Sequence, residues 1–205
     1  TADLSLIKNT VKWLKTPLIL IKSTVPPGTT NQLQKETKKR IVFSPEYIGE
    51  GKYYVSDRYP HPTDIIKHKF MIVGGHSKDR KEIINIFQKI LGPEKIYAQT
   101  DSTTAELVKY GVNCWLATKV TWSNELYDIC QAFGVDYHEF RNLLLLDGRI
   151  EPTHTLVFPN SRGFGGKCLP KDVSALVSAA QNKKYLPKLL KKVLEINEGI
   201  KKINP

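Results

Sequence analysis

The chain has 205 residues, 40% of them apolar and 25% charged, which is the composition of a globular protein with one large domain or two small ones. No apolar run approaches the length of a membrane span, and the first ten residues lack the features of a signal peptide. The net charge of +11 suits phosphate-bearing partners such as nucleotides. Three cysteines without a paired spacing indicate free thiols, so we expect a soluble, cytoplasmic protein without a bound metal.

The first hundred residues alternate between predicted helices and strands. Helical patterns occur at residues 4–14, 29–39 and 78–91, the last with Ser77 as its candidate cap. Short apolar runs that predict buried strands lie at residues 18–21, 41–43, 70–73 and 96–98. This alternation predicts an open α/β fold, in which helices cover both faces of a mostly parallel sheet. No GxGxxG turn occurs, which leaves an α/β fold of another kind or a dinucleotide-binding sheet without its first part.

The pattern becomes entirely helical near residue 100. No proline interrupts residues 101–133, which predict one long helix with Glu106 as the capping-box partner of Thr103. Further helices are expected at residues 137–146 and, in two pieces, at residues 171–202. We therefore predict an α/β domain over residues 1–99 and an all-helical domain over residues 100–205.

The most informative segment is GFGGKCLPKD, at residues 163–172. Its glycines allow backbone N–H groups to approach a bound group and to hold an oxyanion beside the sulfur of Cys168. Lys167 and Lys171 favour the reactive thiolate, and a helix that begins near Pro170 would add its positive end. These features predict a nucleophilic cysteine, and the plainer alternative is a glycine-rich loop with an incidental buried thiol.

Further polar groups complete the candidate site. Lys109 and Asn113 are four residues apart, so they share one face of the long helix and can together hold a developing negative charge. Segments 23–28 (STVPPG) and 44–51 (SPEYIGEG) follow the first two predicted strands, where open α/β sheets bind ligands. The alternatives are a polar stripe on a surface helix and two plain strand-to-helix turns.

Taken in order, four segments resemble the nucleotide-sugar 6-dehydrogenases, which oxidise UDP-glucose, GDP-mannose or UDP-N-acetylmannosamine with two NAD. The matching stretches are STVPPGTT, SPEYIGEG, AELVKYGVNCWLATKVTWSNELYDICQAFGVD and GFGGKCLPKD. The resemblance implies the second half of a Rossmann-like NAD-binding domain, followed by a central helical domain that forms a homodimer through the long helix. It also implies a central fragment without the GxGxxG strand and the C-terminal nucleotide-binding domain, which alone would bind NAD weakly and turn over little.

The resemblance implies a role for each residue that matches the family's motifs. Cys168 matches the catalytic cysteine, and Lys109 and Asn113 match the pair that stabilises oxyanionic intermediates. Asp172 matches an acid that works with a water, and Thr24 matches a threonine beside the nicotinamide.

Other matching residues concern hydrolysis and binding. Glu46 matches the general base of thioester hydrolysis, and Arg149 resembles an arginine that reaches the sugar of the neighbouring subunit. Cofactor contacts are expected from Thr24, Glu50 and Lys171. Substrate contacts are expected from Glu46, Tyr47, Ile48, Lys109, Asn113, Arg149 and Gly165.

The family's chemistry explains why these groups belong together. A thiolate traps the aldehyde formed by a first hydride transfer, a second hydride transfer gives a thioester, and water then frees the acid. Two other hypotheses remain: a non-catalytic dimerisation or scaffold protein of the same fold, and a basic nucleic-acid-binding protein. The second of these lacks any recognition motif, so we expect no nucleic-acid partner. The sequence leaves open which nucleotide sugar is used.

Overall fold

The computed structural model describes residues 3–48 and 64–203, which divide into two compact units. The first unit comprises residues 3–48 and 64–111, and the second comprises residues 112–203. The division falls inside a long helix, later than the change of sequence pattern near residue 99. The reason is that the first turns of this helix pack against the sheet, where Ala105 belongs to the apolar core.

The first unit is an α/β layer structure. In chain order its elements are α1 (Ser5–Trp13), β1 (Leu18–Ile21), α2 (Thr29–Thr37), β2 (Arg40–Phe43), β3 (Phe70–Gly74), α3 (Ser77–Leu91), β4 (Ile96–Thr100) and the start of α4 (Ser102–Ala132). The strands match the predicted apolar runs closely. Helix α3 begins at Ser77, and the N-cap position belongs to His76, not to Ser77 as predicted.

The four strands form one sheet in the order β1-β2-β3-β4. Strands β1 and β2 are parallel, and so are β3 and β4. Strand β3 is antiparallel to β2, and the two strands share a single residue pair, Phe43 and Gly74. The rest of β3 therefore lies beside the segment that follows β2. The sheet is therefore mixed but mainly parallel, in agreement with the prediction.

Alternating side chains of the strands serve two apolar layers. On one face Ile19, Ile41 and Phe43 pack with Val11 of α1 and Leu33 of α2. On the other face, the residues that pack together are Val42, Met71, Val73, Ile83 and Ile84. Because successive strand residues point to opposite faces, short apolar strands bury both layers at once. Helices cover both faces of the sheet, as expected.

The second unit is entirely helical among its described residues. It contains the rest of α4, then α5 (Tyr137–Leu144), α6 (Leu169–Asn182) and α7 (Lys188–Ile203). Gly134 stops α4 with a left-handed φ of 67°, and Asp136 caps α5 by accepting a hydrogen bond from the Glu139 N–H at 2.8 Å. Helices α4, α6 and α7 meet around an apolar cluster that contains Cys114, Ala117, Phe164, Val173 and Val193.

Candidate active site

The first unit has a polar cleft where β1 and β2 end. Lys22 follows β1, and the segment from Ser44 to Tyr47 follows β2. The other walls come from Ile65, His68, Phe70, Met71 and Leu91. Parallel strands bring their carboxyl ends to one edge of a sheet, which is why two segments that are distant in sequence meet there. We call this feature the strand-end cleft.

Glu46 is held in the strand-end cleft by backbone donors and a lysine. Its Oε1 accepts hydrogen bonds from the N–H groups of Tyr47 at 2.8 Å and Ile48 at 3.0 Å, and its Oε2 lies 3.3 Å from the Lys22 ammonium. Burial alone would raise the pKa of Glu46, but the two N–H groups and Lys22 outweigh burial and hold this pKa below its usual value. Glu46 is therefore a carboxylate at neutral pH, the form that accepts a proton from water.

Lys109 and Tyr47 meet in the same unit. The Lys109 ammonium lies 5.1 Å from the centre of the Tyr47 ring, and the Phe70 ring meets this tyrosine edge-on at 5.2 Å. Burial raises the pKa of Tyr47 to about 12, so its phenol stays neutral beside the cation. Two residues that the sequence predicted from separate motifs are thus in contact.

Glu106 fixes the loop that carries Thr24. This carboxylate is fully buried and accepts hydrogen bonds from the Gly28 N–H at 2.5 Å, the Thr30 N–H at 2.8 Å and the Thr30 hydroxyl at 2.6 Å. Burial raises the pKa of Glu106, although the three donors oppose that effect. The loop after β1, in which Thr24 is half-buried, is consequently tied to α4 at its far end.

The predicted capping box at the start of α4 is wrong. Glu106 turns towards α2 and does not reach back to Thr103. Asp101 takes the capping role instead, because its carboxylate accepts hydrogen bonds from the Thr104 N–H at 2.9 Å and the Thr104 hydroxyl at 2.6 Å. Local spacing could not reveal the true partners of Glu106, which lie 76 and 78 residues away in the chain.

In the second unit, Cys168 lies at the amino end of α6. It is the N-cap residue and is exposed, whereas Cys114 and Cys130 are buried. Gly166 adopts a left-handed φ of 75° just before it, and Pro170 occupies the first turn. The amino end of a helix favours negative charge, which is the physical reason for proposing a reactive thiolate at this position. The position at the positive end of a helix is confirmed, and the alternative of a buried thiol is wrong.

Asp172 lies one turn into α6 and joins three predicted residues. Its carboxylate accepts hydrogen bonds from the Asn113 amide at 2.5 Å and the Lys171 ammonium at 2.6 Å, and its N–H donates to the Cys168 carbonyl at 2.9 Å. Asp172 is 1% exposed, so its partners define its position closely. Burial, helped by the charge of Asp172, raises the pKa of the Cys114 thiol to about 11, which leaves Cys114 protonated and inert.

The remaining predicted residues are less constrained. The side chain of Arg149 is 88% exposed and forms a two-pronged ion pair with Asp147, with its shortest distance at 2.5 Å. Ile48 and Gly165 are exposed, and Glu50 lies outside the described residues.

Each unit thus has a distinct chemical capability. The first offers an ionised carboxylate beside an ammonium, which suits activation of water. The second offers an exposed sulfur at a helix terminus, with a buried carboxylate one turn later that accepts a hydrogen bond from an amide of α4, which suits attack on an electrophilic carbon. Sequence reasoning found these groups but missed Lys22 and assigned Glu106 the wrong partner, because the residues that they contact are distant in the sequence.

Comparison with known proteins connects both units to one family. A family model described as the UDP-glucose/GDP-mannose dehydrogenase family, central domain, matches residues 103–199. A UDP-glucose 6-dehydrogenase from Rickettsia bellii is 32% identical over 96% of this chain and 45% of its own length. One from Bacillus subtilis is 32% identical over 96% of this chain and 43% of its own length. The chain therefore spans slightly less than half the length of these curated relatives.

Solved structures give the same fold. A UDP-glucose dehydrogenase from Pyrobaculum islandicum aligns with a TM-score of 0.79 at 24% identity, over 97% of this chain and 47% of its own. A UDP-D-ManNAc dehydrogenase from Pyrococcus horikoshii aligns with a TM-score of 0.74 at 25% identity, over 96% of this chain and 46% of its own. Within residues 3–48 and 64–203, no helix is long and apolar enough to span a membrane. The same residues contain no cluster of acidic, histidine or cysteine side chains suited to a metal ion.

Proposed function

The chain belongs to the UDP-glucose/GDP-mannose dehydrogenase family, and we propose that it supplies the nucleophile of an NAD-dependent nucleotide-sugar 6-dehydrogenase that makes a uronic acid. The observation that carries this proposal is the setting of Cys168. Cys168 is the exposed N-cap residue of α6, and Asp172, four residues later, accepts a hydrogen bond from the buried Asn113 amide. A UDP-sugar such as UDP-glucose is the proposed substrate, because the curated relatives described above are UDP-glucose 6-dehydrogenases.

The proposed cofactor is NAD, which the family resemblance implies. Thr24 would contact the cofactor from the loop after β1, and the family resemblance assigns further contacts to Glu50 and Lys171. When bound, NAD accepts a hydride in each of the two oxidation steps.

The residues of this chain would then act in sequence. The Cys168 thiolate attacks the C6 aldehyde of the sugar, which forms a carbon–sulfur bond and leaves negative charge on oxygen. The family resemblance assigns the stabilisation of that oxygen to the Asn113 amide and the Lys109 ammonium.

Hydrolysis follows the second oxidation, which has produced a thioester. The family resemblance assigns Glu46 as the general base that takes a proton from water and Asp172 as an acid that works with a water, and the water oxygen attacks the thioester carbon. The carbon–sulfur bond then breaks, so the carboxylic acid is released and the Cys168 thiolate is restored.

We also propose a homodimer through α4, because large apolar side chains are exposed along one side of this helix. Trp115 is 63% exposed, and the other members of this apolar stripe are Val112, Trp122 and Ile129, followed by Phe133 just after the last helical residue. At 100° per residue these positions fall within one third of the helix circumference. A stripe of this kind on a soluble chain marks an interaction surface, and a second copy would cover it with the same residues. The exposed Arg149 would reach the sugar bound by the partner subunit.

The experiment is to assay uronate and reduced cofactor with NAD and each of UDP-glucose, UDP-N-acetylmannosamine and GDP-mannose. A full-length protein that contains this chain should form about two reduced cofactors per uronate with one of these sugars, and Cys168→Ser in that protein should form no uronate. Full uronate output from Cys168→Ser would refute the assigned nucleophile. If the full-length protein reduces no cofactor with any sugar, the non-catalytic scaffold hypothesis takes precedence.

A further inference from the structure

The turn that leads to Cys168 belongs to no helix or strand, so no regular pattern of backbone hydrogen bonds holds it. It lies in the connection between α5 and α6, and two of its glycines, Gly163 and Gly166, adopt left-handed φ values of 75°. Glycine-rich backbone loses much conformational entropy when it is fixed, so other groups must hold this turn in place.

Asn197 of α7 holds the turn from one side. Its Oδ1 accepts a hydrogen bond from the Phe164 N–H at 2.6 Å, and its Nδ2 donates to the Phe164 carbonyl at 3.0 Å. The side-chain amide thus pairs with the backbone as a neighbouring strand would. Phe164 and Asn197 are both buried, so the N–H and carbonyl of Phe164 cannot form hydrogen bonds with water if the amide is removed.

Asn197 also explains why residue 163 is a glycine. A Cβ at Gly163 would lie 2.7 Å from Asn197 Oδ1, too close for any side chain. The positive φ at the same position adds a second penalty for an L residue. Gly163 and Asn197 are therefore a matched pair, although 34 positions separate them in the sequence.

Asn124 of α4 holds the same turn from the other side. Its Oδ1 accepts hydrogen bonds from the Gly163 N–H at 3.2 Å and from Arg162 Nε at 3.1 Å, while its Nδ2 donates to the Val120 carbonyl at 2.8 Å. The last bond fixes which way the amide points. Arg162 is further fixed by Asp128, which lies one turn after Asn124.

We propose that Asn197 and Asn124 are positioning residues that set the orientation of the Cys168 thiol at the amino end of α6. This inference rests on the proposed function, in which Cys168 is the nucleophile. The two amides fix the chain at residues 162–164, and the packing of Val173 of α6 in the same apolar cluster as Phe164 fixes it beyond Cys168. The short turn between these anchors has little freedom left. Neither amide acts on the substrate directly, since each acts through the backbone that it binds.

The test is the pH dependence of Cys168 alkylation by iodoacetamide, followed by mass spectrometry on the 205-residue chain. Cys168 is already exposed, so access does not limit its reaction, and the rate reports how well the helix terminus favours the thiolate. In Asn197→Ala and Asn124→Ala the pH of half-maximal rate should rise by about half a unit, which slows the reaction about threefold at pH 7. Asn182→Ala, at an exposed position of α6, is the matched control and should leave the profile unchanged.

Two further variants distinguish a local change in this turn from a general loss of structure. Asn197→Asp keeps the acceptor for the Phe164 N–H but loses the donor to its carbonyl, and Gly163→Ala displaces the Asn197 amide without altering it. Both should shift the profile in the same direction, while the buried Cys114 and Cys130 stay unmodified and report a folded chain. An unchanged profile in these folded variants would overturn the inference and leave the proposed function standing. Uronate formation by Cys168→Ser would instead overturn the proposed function, whatever the profile.

Discussion

The buried carboxylate of Glu106 shows how one residue connects helix α4 to the loop after β1. Glutamine at position 106 has nearly the same shape as glutamate, but its side-chain amide would point an N–H group towards the donors of Gly28 or Thr30. We expect Glu106→Gln to lower the free energy of unfolding by about 1–3 kcal/mol, because a buried donor loses its acceptor. Glu125→Gln, at an exposed position of the same helix, should change it by less than about 0.5 kcal/mol.

The pH dependence of this difference in the free energy of unfolding tests the burial of Glu106 more directly. Burial raises the pKa of Glu106 in the folded chain, so the folded state binds the proton more tightly than the unfolded state. The resulting stability is fully present below the ordinary pKa and is lost as the pH rises through the raised value. Urea unfolding from pH 4 to pH 8 should show this fall in the free energy of unfolding with rising pH in the wild type and not in Glu106→Gln. An equal dependence on pH in both proteins would show that the carboxyl is not desolvated as described.

The contact between Asn113 and Asp172 allows a second prediction at the residue scale. Asn113→Asp would place two carboxylates about 2.5 Å apart where Asp172 is buried, so at neutral pH one charge must be lost or the contact broken. We expect a loss of about 2–4 kcal/mol at pH 7 that is partly regained below pH 5, where one carboxyl is protonated. Asn182→Asp should show neither effect. Similar unfolding midpoints for both variants in urea would contradict the described contact.

At the scale of elements, apolar pattern and chain breakers predicted most of the fold. Strand β1 coincides with its apolar run, and α4 runs without a break through the proline-free stretch until Gly134 stops it. The sequence could not reveal how Glu106, Asn124 and Asn197 pair, because each binds backbone that lies 33 to 78 positions away. Local spacing reports the partners of a helix or strand within a few residues and carries no information on such distant contacts.

The exposed stripe of α4 leads to a prediction about association. Trp115→Glu or Trp122→Glu would place a charge in the proposed dimer interface, and each should weaken the dimer by about 30-fold or more. Trp13→Glu is the matched control, since Trp13 is 78% exposed but lies on α1. Sedimentation equilibrium of the three variants measures the effect. An equal monomer fraction in the wild type and in Trp115→Glu would remove α4 as the interface.

At the scale of the whole chain, the net charge of +11 is compatible with a phosphorylated substrate. The lysines of residues 183–202 lie on exposed positions of α7 and the turn before it, so this part of the charge faces solvent. The proposed catalytic groups lie in both units, with the carboxylate Glu46 in the first and the sulfur of Cys168 in the second. The four motifs in the sequence pointed to these groups because each motif has a specific residue pattern.

The central claim is that the sulfur of Cys168 captures a sugar aldehyde, and its most direct measurement needs no cofactor. The chain is incubated with the 6-aldehyde of UDP-glucose, and the alkylation of each cysteine is then followed by mass spectrometry. We predict that the aldehyde slows alkylation of Cys168 by about tenfold or more at saturation, that UDP-glucose slows it less, and that Cys114 and Cys130 do not change. Alkylation of Cys168 at the same rate with and without saturating aldehyde would contradict the account.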